Sequence, residues 1–127
     1  MPRFVILEHD WPTLHWDFLL EAGSVLRAWR LLGEPGPVSR PQARHQEGEP
    51  ALGVEVSTEP NADHRLFYLD YEGPVSGGRG IVRRWDSGTF EWITDEPGRV
   101  VVELRGAKLV GRCVIEAGRC RFGHPHS

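Results

Sequence analysis

Lysine is nearly missing from this chain: of fifteen basic residues, fourteen are arginine and only Lys108 is not. Positive charge is not in excess either, because eighteen acidic groups leave a formal net charge of −3. Non-specific binding to nucleic acid depends on many Lys and Arg neutralising phosphates, so a broad electrostatic grip is excluded and any such contact has to be local. The arginine fork suits bidentate recognition of carboxylate or phosphate, although genomic base composition accounts for the same bias. Cysteine is scarce as well. Cys113 and Cys120 fit no zinc-ligand spacing and supply no disulfide framework. A turn centred on Ala117 and Gly118 sets position 113 against 122 and 115 against 120, which keeps the thiols from directly opposing each other, and both are expected to be reduced and structural. Long apolar runs and a charged-then-apolar secretory start are absent, so the chain reads as cytoplasmic with no membrane segment.

Sustained helical periodicity is also lacking. Apolar residues alternate or come in short bursts, and fifteen Gly and ten Pro interrupt before a helix could run ten residues. Strands are expected at 3–8, 14–21, 24–31, 51–57, 66–72, 79–86, 89–94, 99–105, 107–116 and 119–122. Hairpin signals join several of them: "EAGS" at 21–24, "DSG" at 86–88, "RGA" at 105–107 and "EAGR" at 116–119. With five Trp, five Phe and two Tyr, 127 residues can build one core, so a single all-β domain over 1–127 is expected, an antiparallel barrel or sandwich with room for a pocket. The proline-rich stretch "GEPGPVSRPQARHQEGEP", 33–50, has almost no aliphatic side chains and reads as a long loop. His45 within it, and His124 and His126 in the "GHPHS" tail, are expected to be solvated.

The stretch "EHDWPTLHWDF" is rich in groups that carry chemistry. If "LHWDFLLE" is a strand, Leu14, Trp16, Phe18 and Leu20 share the core face while His15, Asp17 and Leu19 share the other. His15 and Asp17 then stand side by side, with His9 just across the "DWPT" bend. Two imidazoles and a carboxylate suit Mn²⁺, Fe²⁺ or Zn²⁺ and leave positions open for water or substrate. The bland alternative is a hydrogen-bonded His–Asp pair on an exposed face. Asp10 is assigned to the bend, through side-chain to backbone bonds. A second cluster, "NADHRLFYLDYEG", places His64 and Tyr68 on one face if the segment is extended. The glycine-rich "GPVSGGRG", 73–80, lacks the Lys-Ser or Lys-Thr of a phosphate loop and feeds a strand, so it reads as a wide turn. Arg79, Arg83 and Arg84 near it form a small basic patch or are simply solvated.

Taken in order, "RFVILEHDWPTLHWDFLLEAGSVLRAW", "DHRLFYLDYEGPV", "GIVRRWDSGTFE" and "ELRGAKLVGRCVI" resemble the 3′-phosphoesterase domain of bacterial DNA ligase D and its stand-alone relatives. The resemblance covers most of the chain. It implies a small antiparallel β-barrel with a central pocket. It also implies manganese-dependent repair of nucleic-acid 3′ ends, in which a terminal ribonucleoside and then a 3′-phosphate are removed. Carried over by position, it assigns His9, His15 and Asp17 to the metal, Mn²⁺ with Zn²⁺ as the alternative. His64 and Tyr68 fall to the scissile phosphate, and "WDSG" at 85–88 to a hairpin. Partners implied are nucleic-acid 3′ ends and a DNA ligase or other repair protein.

Two positions depart from the family pattern. Leu19 stands where the family carries a phosphate-binding arginine, and Leu7 where it carries glutamine. The N-terminus also enters the first strand almost at once. Three readings follow: a working metal-dependent phosphoesterase in which Arg65, Arg79 or Arg83 supplies the missing cation; a catalytically weakened module that binds nucleic-acid ends or a partner; or a cupin-like Fe²⁺ enzyme, against which the downstream blocks argue.

Overall fold

The computed structural model describes residues 1–35 and 54–123. Most of the proline-rich 33–50 stretch, His45, His124 and His126 therefore lie outside the described residues. The strands are β1 (Arg3–His9), β2 (His15–Ala22), β3 (Val25–Leu31), β4 (Val54–Arg65), β5 (Gly73–Pro74), β6 (Ile81–Glu96), β7 (Arg99–Gly106), β8 (Val110–Glu116) and β9 (Arg119–Phe122), with one 3-10 turn, Leu66–Leu69, after β4. All pair antiparallel in the order β1-β2-β3-β4-β9-β8-β7-β6-β5, and β1 also pairs with β6. The sheet thus closes on itself into a barrel-like ring, with the short β5 attached to β6, as expected for an all-β chain.

Two apolar clusters lie on opposite sides of the wall. Every strand of the ring feeds the interior one, with Phe4, Phe18, Trp29, Val56, Phe90, Val102, Cys113 and Phe122 among its members. The other holds Val5, Leu7, Leu19, Leu26, Ala28 and Val82 beneath Leu69 of the 3-10 turn, with Tyr68, Tyr71 and Val75 packed against it. Residues 66–75 therefore cover the outer face of β1, β2 and β3. Burial on both faces explains why "FVIL" and "FLL" are unbroken apolar bursts rather than alternations. Leu14, expected in the core, precedes β2 and is exposed.

Two expectations for strands need correction. The segment 66–72 is not extended, since it opens with the 3-10 turn that carries Leu69 onto the wall. Nor does "DSG" make a hairpin. Residues 81–96 are one long strand, in which Ser87 pairs with Val5 and Gly88 with both Phe4 and Gly106. The glycine there marks a close backbone approach, because a Cβ at 88 would stand 2.1 Å from the Arg105 carbonyl oxygen. The chain turns instead at Pro97 and Gly98, closed by the Glu96–Arg99 pair, where Gly98 has φ +84°.

The other hairpins fall where the sequence places them. Ala22 pairs with Val25 around Gly23, and Glu116 with Arg119 around Ala117 and Gly118, whose φ values of 54° and 74° are those of the primed turn that matches strand twist. That register sets Cys113 against Phe122 and Ile115 against Cys120, leaving the two buried thiols diagonal, with sulfurs 3.4 Å apart. Burial and the neighbouring thiol push Cys120 well above the ordinary cysteine range.

Asp86 ties the interior to the β7–β8 connection. Its buried carboxylate accepts the N–H groups of Ala107 (2.9 Å), Lys108 (3.1 Å) and Leu109 (2.8 Å). Removing it strands several donors near the core, so Asp86→Ala should lower the unfolding free energy by about 2 kcal/mol or more. Urea denaturation measures this, with the exposed Arg105→Ala as a control expected to stay within roughly 0.5 kcal/mol of the parent.

Candidate metal centre

The β1–β2 register sets His9 opposite His15 and Leu7 opposite Asp17. All of these occupy the outer wall face, the one that Leu19 and Val5 continue as an apolar surface. The bend joining the strands is held by Asp10, whose Oδ1 accepts the Ile81 N–H at 2.9 Å, which is the role the sequence assigns it. Its contact with β6 keeps the loop against the glycine-rich turn, where Gly80 has φ +79° and a Cβ would meet Asp10 and Trp11 at under 3 Å.

Tautomers follow from backbone partners. His15 Nδ1 lies 2.9 Å from the Thr13 carbonyl and His9 Nε2 lies 2.8 Å from the Arg79 carbonyl. A carbonyl only accepts, so each of these nitrogens carries its hydrogen and donates. The remaining nitrogens, His9 Nδ1 and His15 Nε2, each stand 3.2 Å from an oxygen of Asp17. His15 Nε2 is buried and makes no hydrogen bond in spite of that proximity. Two lone-pair nitrogens converging on a carboxylate, all within 4.8 Å, form a set that a cation resolves. Separations near 3.2 Å suit ligands about 2.0–2.2 Å from a shared ion, and a carbonyl holding each outer ring N–H is the usual means of orienting ligating imidazoles. The exposed-pair alternative does not hold, since His15 and Asp17 are both buried.

Burial works against ionised Asp17, but His15 beside it and the charges of His9 and His64 outweigh it and hold the carboxyl below its ordinary range. For His15, burial likewise opposes charge, yet Asp17 and the Thr13 carbonyl prevail and its pKa is raised, with Arg30 opposing.

The centre opens into a cavity of about 230 Å³ that is also lined by Trp11, Arg30, Asn61, His64, Tyr68, Val75 and Arg79. It lies on the outer wall face beneath the 66–80 cover, opposite the interior cluster. His64 and Tyr68 meet with ring centroids 5.6 Å apart. The 3-10 turn brings them together, where an extended segment was expected. His64 Nδ1 donates to the Ala62 carbonyl at 2.9 Å, which leaves Nε2 available. Of the arginines considered, Arg79 lines the cavity, and its guanidinium is already bonded to Ser76 O (2.7 Å) and Oγ (3.3 Å). Arg65 stacks over Phe67 and Tyr68, and Arg83 is exposed; neither lines the cavity. Leu19 is fully buried in the apolar cluster. Sequence reasoning missed Arg30, whose signal was its place two residues beyond Ala28 on a strand adjoining β2. A larger cleft of about 590 Å³ lies elsewhere, among the Pro97–Gly98 and Ala117–Gly118 turns. Two of its arginines are engaged there, Arg27 with Asp95 and Arg99 with Glu116.

Comparison with known proteins gives the same assignment that the motifs gave. The family described as the DNA ligase D 3′-phosphoesterase domain matches residues 7–116. This chain belongs to that family. It is 33% identical over 118 residues to the multifunctional non-homologous end joining protein LigD of Pseudomonas aeruginosa, covering 87% of this chain and 12% of that protein. It is 35% identical over 119 residues to the multifunctional non-homologous end joining DNA repair protein LigD of Mycobacterium tuberculosis, covering 88% and 14%. The Mycolicibacterium smegmatis LigD is 30% identical over 127 residues, with coverage of 89% and 15%. The family match reaches across the metal cluster, His64 and Tyr68, while the chain spans only about an eighth to a seventh of these relatives' length. Among the described residues no helix is long and apolar enough to cross a membrane.

Removing a ligand should cost more than the 10–100-fold that loss of an outer partner costs, so His15→Ala and Asp17→Ala should each weaken Mn²⁺ binding by on the order of a hundredfold or more, read by calorimetric titration. Because His15 must be neutral to ligate and its pKa is raised, protons should compete with the metal as the pH falls. Titrations repeated across pH should show affinity falling on acidification.

Proposed function

We propose that the domain is a metal-dependent phosphoesterase acting on nucleic-acid 3′ ends in DNA end repair. The supporting observation is that one cavity joins a three-ligand cluster, with an unpartnered buried nitrogen, to His64 and Tyr68. The end-joining role in the relatives' names agrees with this, as does membership of a 3′-phosphoesterase family.

His9, His15 and Asp17 would hold the ion, with Mn²⁺ the first choice and Zn²⁺ the alternative, since imidazole and carboxylate accept both. Such an ion, when bound, polarises a phosphoryl oxygen and lowers the pKa of an attacking water. His64 Nε2, set free by the Ala62 carbonyl at Nδ1, would donate to a phosphate oxygen or protonate the leaving group. Tyr68, edge-on to that ring, would fix its orientation and offer a hydroxyl to the same phosphate. The outer wall and its cover would hold this chemistry in a partly dry pocket, where hydrogen bonds to developing charge count for more than in water. A DNA ligase or another repair protein is the proposed partner. Family membership leaves the cupin-like reading without support.

The test is release of phosphate from a primer-template bearing a 3′-phosphate, with Mn²⁺. The native protein should turn over and His15→Ala should not. His64→Ala and Tyr68→Phe should keep metal binding while losing activity, His64→Ala by roughly 10² to 10³ by analogy with deletion of a donor to developing charge. A folded, metal-loaded native protein with no turnover would overturn the enzymatic reading and leave an end-binding module.

A further inference from the structure

The cavity contains a cation that neither the ligand cluster nor the His64–Tyr68 pair uses. Arg30 is half-buried, lines the cavity, and has an Nε that is buried without a hydrogen-bond partner among the described residues. An arginine nitrogen held away from water with its hydrogen unused is costly, and an anion arriving in the cavity removes that cost. Its placement follows from the sheet. Arg30 pairs directly with Asp17 across β2 and β3, on the face that Ala28 and Leu26 continue as apolar surface. Cross-strand partners stand about 4.5–5.5 Å apart at their Cβ atoms, so the guanidinium is a near neighbour of the metal ligands. That the Arg30 charge opposes protonation of His15 reflects the same proximity. On the other side Arg30 pairs with the exposed Glu59 of β4, and Asn61, opposite Ala28, lines the cavity, yet neither is bonded to the Arg30 Nε.

We propose that Arg30 is the residue that binds the anionic end of the substrate, its guanidinium taking phosphate oxygens beside the metal ligands and giving the cavity a preference for strands that end in phosphate. Arginine fits this role through its fork of N–H donors, which meets two oxygens of one phosphate where lysine meets it as a point charge. The inference rests on the functional reading above and adds a named recognition residue.

The experiment is fluorescence anisotropy with the full chain and a pair of labelled oligonucleotides that differ only in a 3′-phosphate or a 3′-hydroxyl. It is run in EDTA so that no turnover occurs, and again with Mn²⁺ for the variants that retain metal. The native protein should bind the phosphorylated strand roughly tenfold or more tightly, the scale of a charge-assisted bond to phosphate. Arg30→Met should abolish that preference and Arg30→Lys should retain part of it, with Mn²⁺ binding retained in both. Arg30→Lys keeps the charge and so serves where Arg30→Met fails to fold. Preference that survives Arg30→Met overturns the assignment while leaving the phosphoesterase reading intact. A native protein that releases phosphate yet shows no preference in EDTA overturns it too. His15→Ala separates the two claims, since it should end turnover and leave the phosphate preference in EDTA in place.

Discussion

The register of β1 on β2 is the constraint on which the site depends. Pairing His9 with His15 and Leu7 with Asp17 places two imidazoles and a carboxylate on one face and Phe18 and Leu20 on the other. A slip of one residue would exchange the faces, burying Asp17 in the barrel interior and turning Phe18 toward the cavity. Both faces are apolar along most of these strands, so hydrophobic pattern alone specifies the register weakly. The contact of Asp10 with β6 and the bond from His9 to the Arg79 carbonyl supply what the pattern lacks, since both tie the bend to one position along the glycine-rich turn. The same two contacts orient His9, so the interaction that sets the pairing also builds the site.

How far the sequence was legible depended on whether the signal was local. The bend, the β8–β9 hairpin and the grouping of His9, His15 and Asp17 were readable because period-two alternation and turn chemistry act over a few residues. "DSG" misled for a definite reason: Gly88 is required by the approach of the Arg105 carbonyl from a partner strand, and Asp86 by three N–H groups some twenty residues later. Neither demand is visible nearby, and a turn asks for the same residue types. His64 and Tyr68 were grouped correctly for the wrong reason, because a 3-10 turn and an extended strand both bring positions four apart to one side here. The two-sided burial of β1 and β2 was hidden as well, since it follows from the cover that residues 66–75 lay over the wall.

The arginines show the limit most sharply. Sequence proximity favoured Arg65, Arg79 and Arg83, which lie next to recognised motifs, yet two of these point elsewhere and the third is bonded within its own loop. Arg30 sits in the least remarked part of the first block, "RAWRLL", and reaches the cavity only because β3 pairs with β2 at Asp17. Leu19, which looked like a hole in the phosphate pocket, is part of the apolar joint that holds the cover down. Full burial there is worth about 2 kcal/mol to the fold, and a guanidinium in its place would have to be desolvated among Val5, Leu26 and Leu69. A missing charge in one strand is thus offset in the next, at a position where the wall is still open to the cavity.

The cover and the cavity are two ends of one layer. Along the outer wall, Val5, Leu19 and Leu26 cluster with Leu69 and Tyr71; Leu7 and Val82 belong to that cluster and also line the cavity, as do His9, Asp17, Arg30 and, from the cover, Tyr68, Val75 and Arg79. Apolar burial along the wall supplies the rigidity that the polar groups lining the cavity require, because side chains converging on one point resist assembly unless their backbone is fixed in advance. Substitutions in the apolar cluster would therefore reach the site through the position of the 3-10 turn, and with it His64 and Tyr68, before they disturbed His9 and His15, which are anchored to the Arg79 and Thr13 carbonyls. The barrel supplies the wall, and the short segment after β4 converts its outer face into a pocket.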